Sequence, residues 1–369
     1  MPAKYRVAVI GHTGRGNYGH GLDKVWLDVP DVQVVGVADA DPKGLAQAVA
    51  RLKAPKGFAD WRKMLDELRP DLVGVCPRWV DQHCEMVVGA AERGARGIYL
   101  EKPMCRTLAE ADAMIAACKK SGTKVAISHQ TRYSPVLPVI EDLIQSGRIG
   151  RVLEFRGRGK EDSRGGSEDL WVLGSHVLNL VQHLGGGPKS CFARVMLEGR
   201  PVRPDDVQPG NEGIGPLAGD EVHATYLLSG GAVAHFDSVR KAQNKANRFG
   251  LQILGSEGVI DMRIGYLPQS YFLADANWSP GLSGKSWTPI SSAGVGKPEP
   301  LKDGGLPAGN VLAVQDLLGA IEQRRHPECS IYEGLVTIEM IAGAFESQRV
   351  GGPVTFPLAN RENPLAMLK

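Results

Sequence analysis

A chain of 369 residues is long enough for two ordinary domains, each with a sizeable core. Its 43 Lys and Arg against 41 Asp and Glu leave no basic excess to attract nucleic acid or an anionic membrane surface. The longest uncharged run, Leu170 to Pro188, contains Ser175, His176, Asn179, Gln182 and His183, which excludes it as a membrane span.

Met1 to Tyr5 lead straight into apolar Val7-Ala8-Val9-Ile10 with no basic segment, long apolar stretch or cleavage site, so no export signal is read. The six cysteines are scattered without a CxxC pair. Buried reduced thiols fit that spacing better than a disulfide frame or a zinc site, so no metal is expected and the location read is cytoplasmic.

Val7 to Ile10 reads as a strand, and Gly11-His12-Thr13-Gly14-Arg15-Gly16-Asn17-Tyr18-Gly19 follows at once. Gly14-x-Gly16-x-x-Gly19 satisfies the dinucleotide pattern, while Gly11 is the residue directly after the strand. The expectation is an expanded phosphate loop over Gly11–Gly16 leading into a helix from about Tyr18 to Asp28, whose free N–H groups would face a pyrophosphate. Val32 to Ala38 is the second strand, closed by Asp39. A carboxylate there can accept from adenosine ribose hydroxyls and repel a 2′-phosphate, which favours NAD over NADP. Alternatively, Asp39 or Asp41 caps the helix Pro42–Leu52.

The alternation continues through a helix Trp61–Leu68, a strand Asp71–Val75 stopping at Cys76-Pro77, and a helix Asp81–Arg93 with His83 on its first turn. Next comes Gly97-Ile98-Tyr99-Leu100-Glu101-Lys102-Pro103, a short buried strand ending in a Glu-Lys pair. In an open α/β sheet that carboxyl edge is where ligands bind, so Lys102 would stand as a held cation beside Glu101. A helix Leu108–Lys120 and a strand Lys124–Ser128 complete a doubly wound parallel sheet, a Rossmann domain over residues 1–126.

Residues 127–369 read differently, as an α+β domain for substrate binding and oligomerisation, its last segment packing back on the first domain. Alternating stretches at Arg151–Gly159, Ser190–Leu197, Glu221–Arg240 (turning at Ser229-Gly230-Gly231), Phe249–Leu254 and Val259–Arg263 predict a large, mainly antiparallel open sheet with one exposed face. Two Pro/Gly-rich connections, Gly199–Gly219 and Gly265–Gly309, have the length of binding loops or of surface insertions. A helix from Asp169 or Leu170 to Leu184 aligns Asp169, Val172, His176, Asn179 and His183 on one face. That mostly polar stripe is either a satisfied buried network or part of a site. Lys160 and Arg164 flank a charged cluster before this helix, either reaching the ligand or solvated.

These residues as a set resemble the glucose–fructose oxidoreductase, inositol dehydrogenase and MocA superfamily of NAD(P)-dependent oxidoreductases. The likeness is carried by the glycine loop, Asp39, Pro77 with His83, and Glu101-Lys102-Pro103. Further matches are Arg132-Tyr133-Ser134-Pro135, Gly147-Arg148-Ile149-Gly150, Gly174-Ser175-His176, Gly255-Ser256-Glu257-Gly258, Asp316 to Ile321 and Val354 to Leu358. The resemblance implies cofactor contacts from Gly11, His12, Thr13, Gly14, Arg15, Gly16, Asp39, Cys76, Pro77, His83, Glu101 and Lys102. It implies catalysis by Lys102 and His176, with Arg132, Tyr133, Lys160 and Asn179 toward the substrate. One departure matters. Many members place an aspartate four residues before the histidine and another three after it, where this chain has Val172 and Asn179.

The expected activity is therefore oxidation of a secondary alcohol on a sugar, cyclitol or related polyol, with NAD as cofactor. Either His176, whose imidazole titrates near neutral pH, or a desolvated Lys102 would be the base. The alternative is an NAD-retaining lyase, epimerase or glycosidase working through transient oxidation. A homodimer or homotetramer is expected from the exposed sheet face and the family.

Overall fold

The first four apolar residues of the glycine-bearing unit, Val7 to Ile10, are at most 1% exposed and form the middle of a parallel sheet. The computed structural model describes residues 4–242 and 248–369; Met1 to Ala3, part of the stretch read for an export signal, lie outside the described residues. Two compact units result, the first of residues 4–130, 211–215 and 306–335, the second of 131–210, 216–305 and 336–369.

In the first unit β1 (Tyr5–Ile10), β2 (Val32–Ala38), β3 (Gly57–Phe58), β4 (Leu72–Val75), β5 (Gly97–Leu100) and β6 (Lys124–Ile127) lie in the order β3-β2-β1-β4-β5-β6, all parallel. The order reverses beside β1, and the crevice at such a reversal, outside the carboxyl ends of the strands, is where open α/β sheets take ligands. β4 and β5 are buried at every position, hence their continuous apolar runs. The connecting helices are α1 (Pro42–Leu52), α2 (Trp61–Leu68), α3 (His83–Glu92) and α4 (Leu108–Ser121). Asp41 caps α1 by accepting from Gly44 N at 2.6 Å, and Asp60 and Thr107 cap α2 and α4. The helix Leu306–Gln323 belongs to this unit: Leu317 and Ile321 lie against Gly97, and Tyr99 donates to Asn310 at 2.8 Å.

The helix expected from Tyr18 to Asp28 does not form. Only a single 3-10 turn, Val25–Leu27, occurs between β1 and β2. The reason is conformational: Gly14, Gly16, Asn17, Gly19 and Gly21 all take positive φ, which no right-handed helix accommodates. The same glycines that suggested a phosphate loop break the helix meant to follow it.

The second unit begins with α5 (Leu137–Gln145), β7 (Val152–Arg158), α6 (Ser167–Val172), α7 (Gly174–Gly185) and β8 (Pro188–Leu197). Its 11-stranded sheet is antiparallel except where β7 pairs parallel with Val233–Val239. Along Glu221–Leu228, Val222, Ala224, Tyr226 and Leu228 point into the core, while His223 and Leu227 are exposed. Two expectations change here. The helix read from Asp169 to Leu184 is two helices meeting at Leu173; at Gly174 a Cβ would lie 2.7 Å from the Phe236 ring, so the chain bends where only glycine fits. Asp169 and Val172 therefore do not continue the face that carries His176. The connection Gly265–Gly309 is no plain loop, because Ser270–Leu273 and Thr288–Ser291 extend the sheet and a helix starts at Leu306.

Candidate functional site

The glycine turn after β1 folds back on itself. His12 N donates to Asn17 O at 3.0 Å and Asn17 N returns to His12 O at 2.9 Å. Gly11, Thr13, Gly14, Arg15 and Gly19 also spend their N–H groups on protein acceptors. A Cβ at Gly16 would come within 2.4 Å of the backbone nitrogens of Arg78 and Trp79, so only glycine lets the turn lie against the segment after β4. Arg15 pairs with Asp81 and places its guanidinium 4.9 Å from the Trp79 ring.

Asp39, at the end of β2, is 1% exposed. Its carboxylate accepts from Thr13 N at 3.1 Å, Thr13 Oγ1 at 2.7 Å, Tyr18 OH at 2.8 Å and Asp41 N at 3.0 Å. Burial alone would raise its pKa; the bonds from Thr13, Asp41 and Tyr18 outweigh that and hold it below the ordinary carboxylate value. Tyr18 lies over Gly11, where a Cβ would sit 2.0 Å from its ring, and the Arg51 guanidinium covers it at 4.8 Å. A bonded Asp39 anchors its own glycine turn, and Asp41 rather than Asp39 caps α1.

Beside this anchor, Gly11, His12, Asp39, Asp60, Trp61 and Gln82 contribute to a cavity of about 180 Å³ at the carboxyl ends of β1 to β3. His12 is fixed on its wall by Gln82 at 2.8 Å. Further along the same edge Cys76 is wholly buried, and burial pushes its thiol well up. Its side chain is not placed to meet a ligand, and the same holds for fully buried His83, which faces the carbonyl oxygens of Pro77 and Pro103.

Glu101 and Lys102 leave β5 as the sequence implied. Lys102 is 5% exposed and its N–H reaches Ser128 Oγ at 3.2 Å. Glu101 is wholly buried, and the bond from His20 Nδ1 at 3.3 Å, with the charges of His20, Lys102 and His83, outweighs burial and keeps its pKa below the usual value. His20 is a residue the sequence reading missed, although it directly follows Gly19. Asn310 pins its carbonyl at 3.1 Å while accepting from Tyr99 and Gln130. Asn310 lies some 290 residues from His20 in the chain, and no sequence signal joins them.

In the second unit His176 occupies the first turn of α7 and is 8% exposed. Asn179 is fully buried and donates to Thr337 Oγ1 at 3.1 Å, joined there by Gln182 at 3.0 Å. Arg132 is buried and Tyr133 half-buried within the turn Gln130–Tyr133. Lys160 stands apart, exposed, 3.7 Å from Asp162. Gly166 precedes α6, and the wholly buried Asp169 accepts from Ser238 Oγ at 2.6 Å and Glu161 N at 2.9 Å, its pKa raised by burial.

A doubly wound nucleotide-type sheet joined to a large, mostly antiparallel one defines a class. Residues 5–129 match the oxidoreductase family with an NAD-binding Rossmann fold, and residues 139–261 match the GFO/IDH/MocA C-terminal domain. The chain belongs to this family. It is 29% identical over 250 residues to the levoglucosan dehydrogenase of Pseudarthrobacter phenanthrenivorans, covering 61% of this chain and 63% of that protein. It is 31% identical over 158 residues to the Bacillus subtilis scyllo-inositol 2-dehydrogenase (NAD(+)), covering 42% and 45%. A third relative, a glycosyl hydrolase family 109 protein of Akkermansia muciniphila, is 27% identical over 52% of this chain and 45% of its own. The chain thus spans less than two thirds of the length of these relatives. Among solved structures, levoglucosan dehydrogenase with NADH and levoglucosan has a TM-score of 0.76 at 22% identity, over 96% of this chain and all of that one. An oxidoreductase domain protein from Kribbella flavida gives 0.77 at 23%, over 97% and 100%. At such identity these likenesses describe the fold.

Proposed function

We propose that this protein is an NAD-dependent oxidoreductase acting on a secondary alcohol of a sugar, cyclitol or related polyol, with Lys102 and His176 at the reacting oxygen. The observation that carries the reading is the Glu101–Lys102 pair, nearly sealed from solvent at the carboxyl edge of β5, in a chain of an NAD-binding oxidoreductase family. NAD, when bound, supplies the hydride acceptor. The chain's own residues do the rest. Gly11, His12, Asp60 and Trp61 hold the adenosine end, and Gly14, Arg15, Gly16 and Pro77 border the phosphates. Lys102 donates a hydrogen bond to the substrate oxygen and stabilises developing alkoxide charge. His176 takes the hydroxyl proton. Arg132 and Tyr133 orient the remaining hydroxyls, while Asn179, fully buried on Thr337, braces α7 behind them instead of meeting the substrate.

The relatives support the substrate class, two being named as dehydrogenases of levoglucosan and scyllo-inositol. A second reading, cleavage of a glycoside with no net NADH, draws on the glycosyl hydrolase relative and on Val172, which cannot hold or move a proton. A cytoplasmic location and a homodimer or homotetramer through the open sheet face complete the proposal. NADH release measured across aldoses, inositols and glycosides separates the two readings. Lys102→Ala and His176→Ala should each lower kcat by about 10²- to 10⁴-fold with NAD binding little changed. Unchanged rates in both would remove the site.

A further inference from the structure

Within the long connection Gly199–Gly219, the stretch Asn211–Gly215 is part of the first unit, although the residues on either side of it belong to the second. Glu212, Gly213 and Gly215 all take positive φ there, and Ile214 is 1% exposed, so the stretch is a tight, seated turn. It lies against the 3-10 turn Val80–Gln82: a Cβ at Gly213 would come 2.9 Å from Asp81 Oδ1 and 3.0 Å from Asp81 Cβ. Gly213 thus covers the Asp81 carboxylate at a distance that a side chain would prevent.

Asp81 is the partner of Arg15 in the glycine turn. Gly213 closes one side of that ion pair, and the Trp79 ring, 4.9 Å from the guanidinium, closes another. Asp81 Oδ1 and Arg15 Nε are accordingly shut off from solvent, with no hydrogen-bond partner in the protein. An ion pair open to water holds its partners weakly, and excluding water from it strengthens the attraction. A lone 3-10 turn has little stability of its own, so Asp81 keeps its place through what packs on it. Arg15 spends Nη2 on Asp81, and 42% of its side chain stays open. A guanidinium fixed in this way keeps further N–H donors for a phosphate oxygen. We propose that Asn211–Gly215 is a positioning segment for the cofactor: by covering Asp81 it fixes Arg15 toward the diphosphate and so sets how long NAD stays bound. The inference rests on the placement of NAD along the glycine turn proposed above. Asp81 and Gly213 are positioning residues, since both act through Arg15, and of the two readings open for the Gly199–Gly219 connection the binding loop is selected.

The test is release of NADH from the full-length protein, followed by its fluorescence after displacement with excess NAD. Gly213→Val should speed release about tenfold and raise KM for NAD by a similar factor without lowering kcat, as expected for one lost charge-assisted contact. Gly213→Ala, used if the valine variant does not fold, should move both in the same direction by about threefold. Asp81→Asn keeps the shape, removes the charge and should also speed release about tenfold. Adding Gly213→Val to it should speed release by less than about twofold more, because both changes act through one ion pair, whereas an unrelated structural defect would add in full. Unchanged release in both single variants, slower release in Asp81→Asn, or full additivity in the double variant overturns the inference. Arg15→Ala checks the cofactor placement separately. Unchanged release in that variant removes the placement itself. Faster release there, with none in the Gly213 and Asp81 variants, removes the role of Asn211–Gly215 and leaves the placement standing.

Discussion

Two strand ends of the first unit each bury a carboxylate, and they do it by opposite means. Asp39, after β2, is surrounded by uncharged donors: two backbone N–H groups, a threonine hydroxyl and a tyrosine hydroxyl. Glu101, after β5, is stabilised by groups that carry or can carry charge, namely His20, Lys102 and His83. A carboxylate ringed by neutral donors is a mechanical anchor, since its partners come from one local turn and hold that turn's shape. A carboxylate among cations is an electrostatic device, because it sets the charge balance around the lysine next to it. The family pattern names both positions as cofactor contacts and does not distinguish these roles.

The sharpest way to break the contrast is Asp39→Ala. Four donors lose their acceptor, and the turn from Gly11 to Gly19 loses its tie to β2. The expected loss is about 3 kcal/mol at pH 7, each stranded buried donor costing about 1–3 kcal/mol before water relieves it. The sign with pH follows from the depressed pKa of Asp39. Its contribution is complete above the unfolded carboxyl value of about 3.9 and disappears as pH falls through the lower folded value. Denaturant melts of wild type and variant should therefore differ at pH 7 and converge toward pH 2. A constant gap across that range would show that Asp39 acts through packing rather than through charge.

The regular elements were legible because periodicity and caps are local. β2, α1 and α2 begin and end at the residues where Val32–Ala38, Pro42–Leu52 and Trp61–Leu68 were read. The glycine turn is not legible in the same way, because GxGxxG says which residues tolerate positive φ, not whether the next turn is helical. The polar stripe through His176 crosses a bend at Gly174, where the Phe236 ring, sixty residues on, leaves no room for a Cβ. His20 and Asn310 are invisible for the same reason: their partners are distant in the chain and their chemistry lies in the pairing.

A finer cut between anchor and ligand site is Tyr18→Phe. The ring keeps its place over Gly11 and under Arg51, and only the hydroxyl on Asp39 is lost. Stability should fall by about 1 kcal/mol, the net worth of one hydrogen bond. At the same time one acceptor position on Asp39 is freed for a ribose hydroxyl. NAD should then bind about threefold more tightly, measured by calorimetry, if Asp39 meets ribose at all. Weaker binding would mean that Tyr18 shapes the cavity, and that Asp39 serves the turn alone.

The smallest effect is expected in the second unit, at a residue the sequence offered for substrate contact. Lys160 keeps 46% of its side chain exposed, and its nearest carboxylate, Asp162, is already engaged by Arg164 at 2.7 Å. Its neighbour Glu161 is wholly buried, paired with Arg158 and with Arg248 at 2.9 Å. The two residues differ as a solvated charge differs from a buried network. Lys160→Ala should leave thermal stability within about 0.5 kcal/mol of wild type. It should also leave KM for any accepted polyol within about twofold, because an exposed ion pair contributes at most about 1 kcal/mol and this one is redundant. A tenfold rise in KM would show instead that the loop carrying Lys160 reaches the substrate, and would restore that residue to the site.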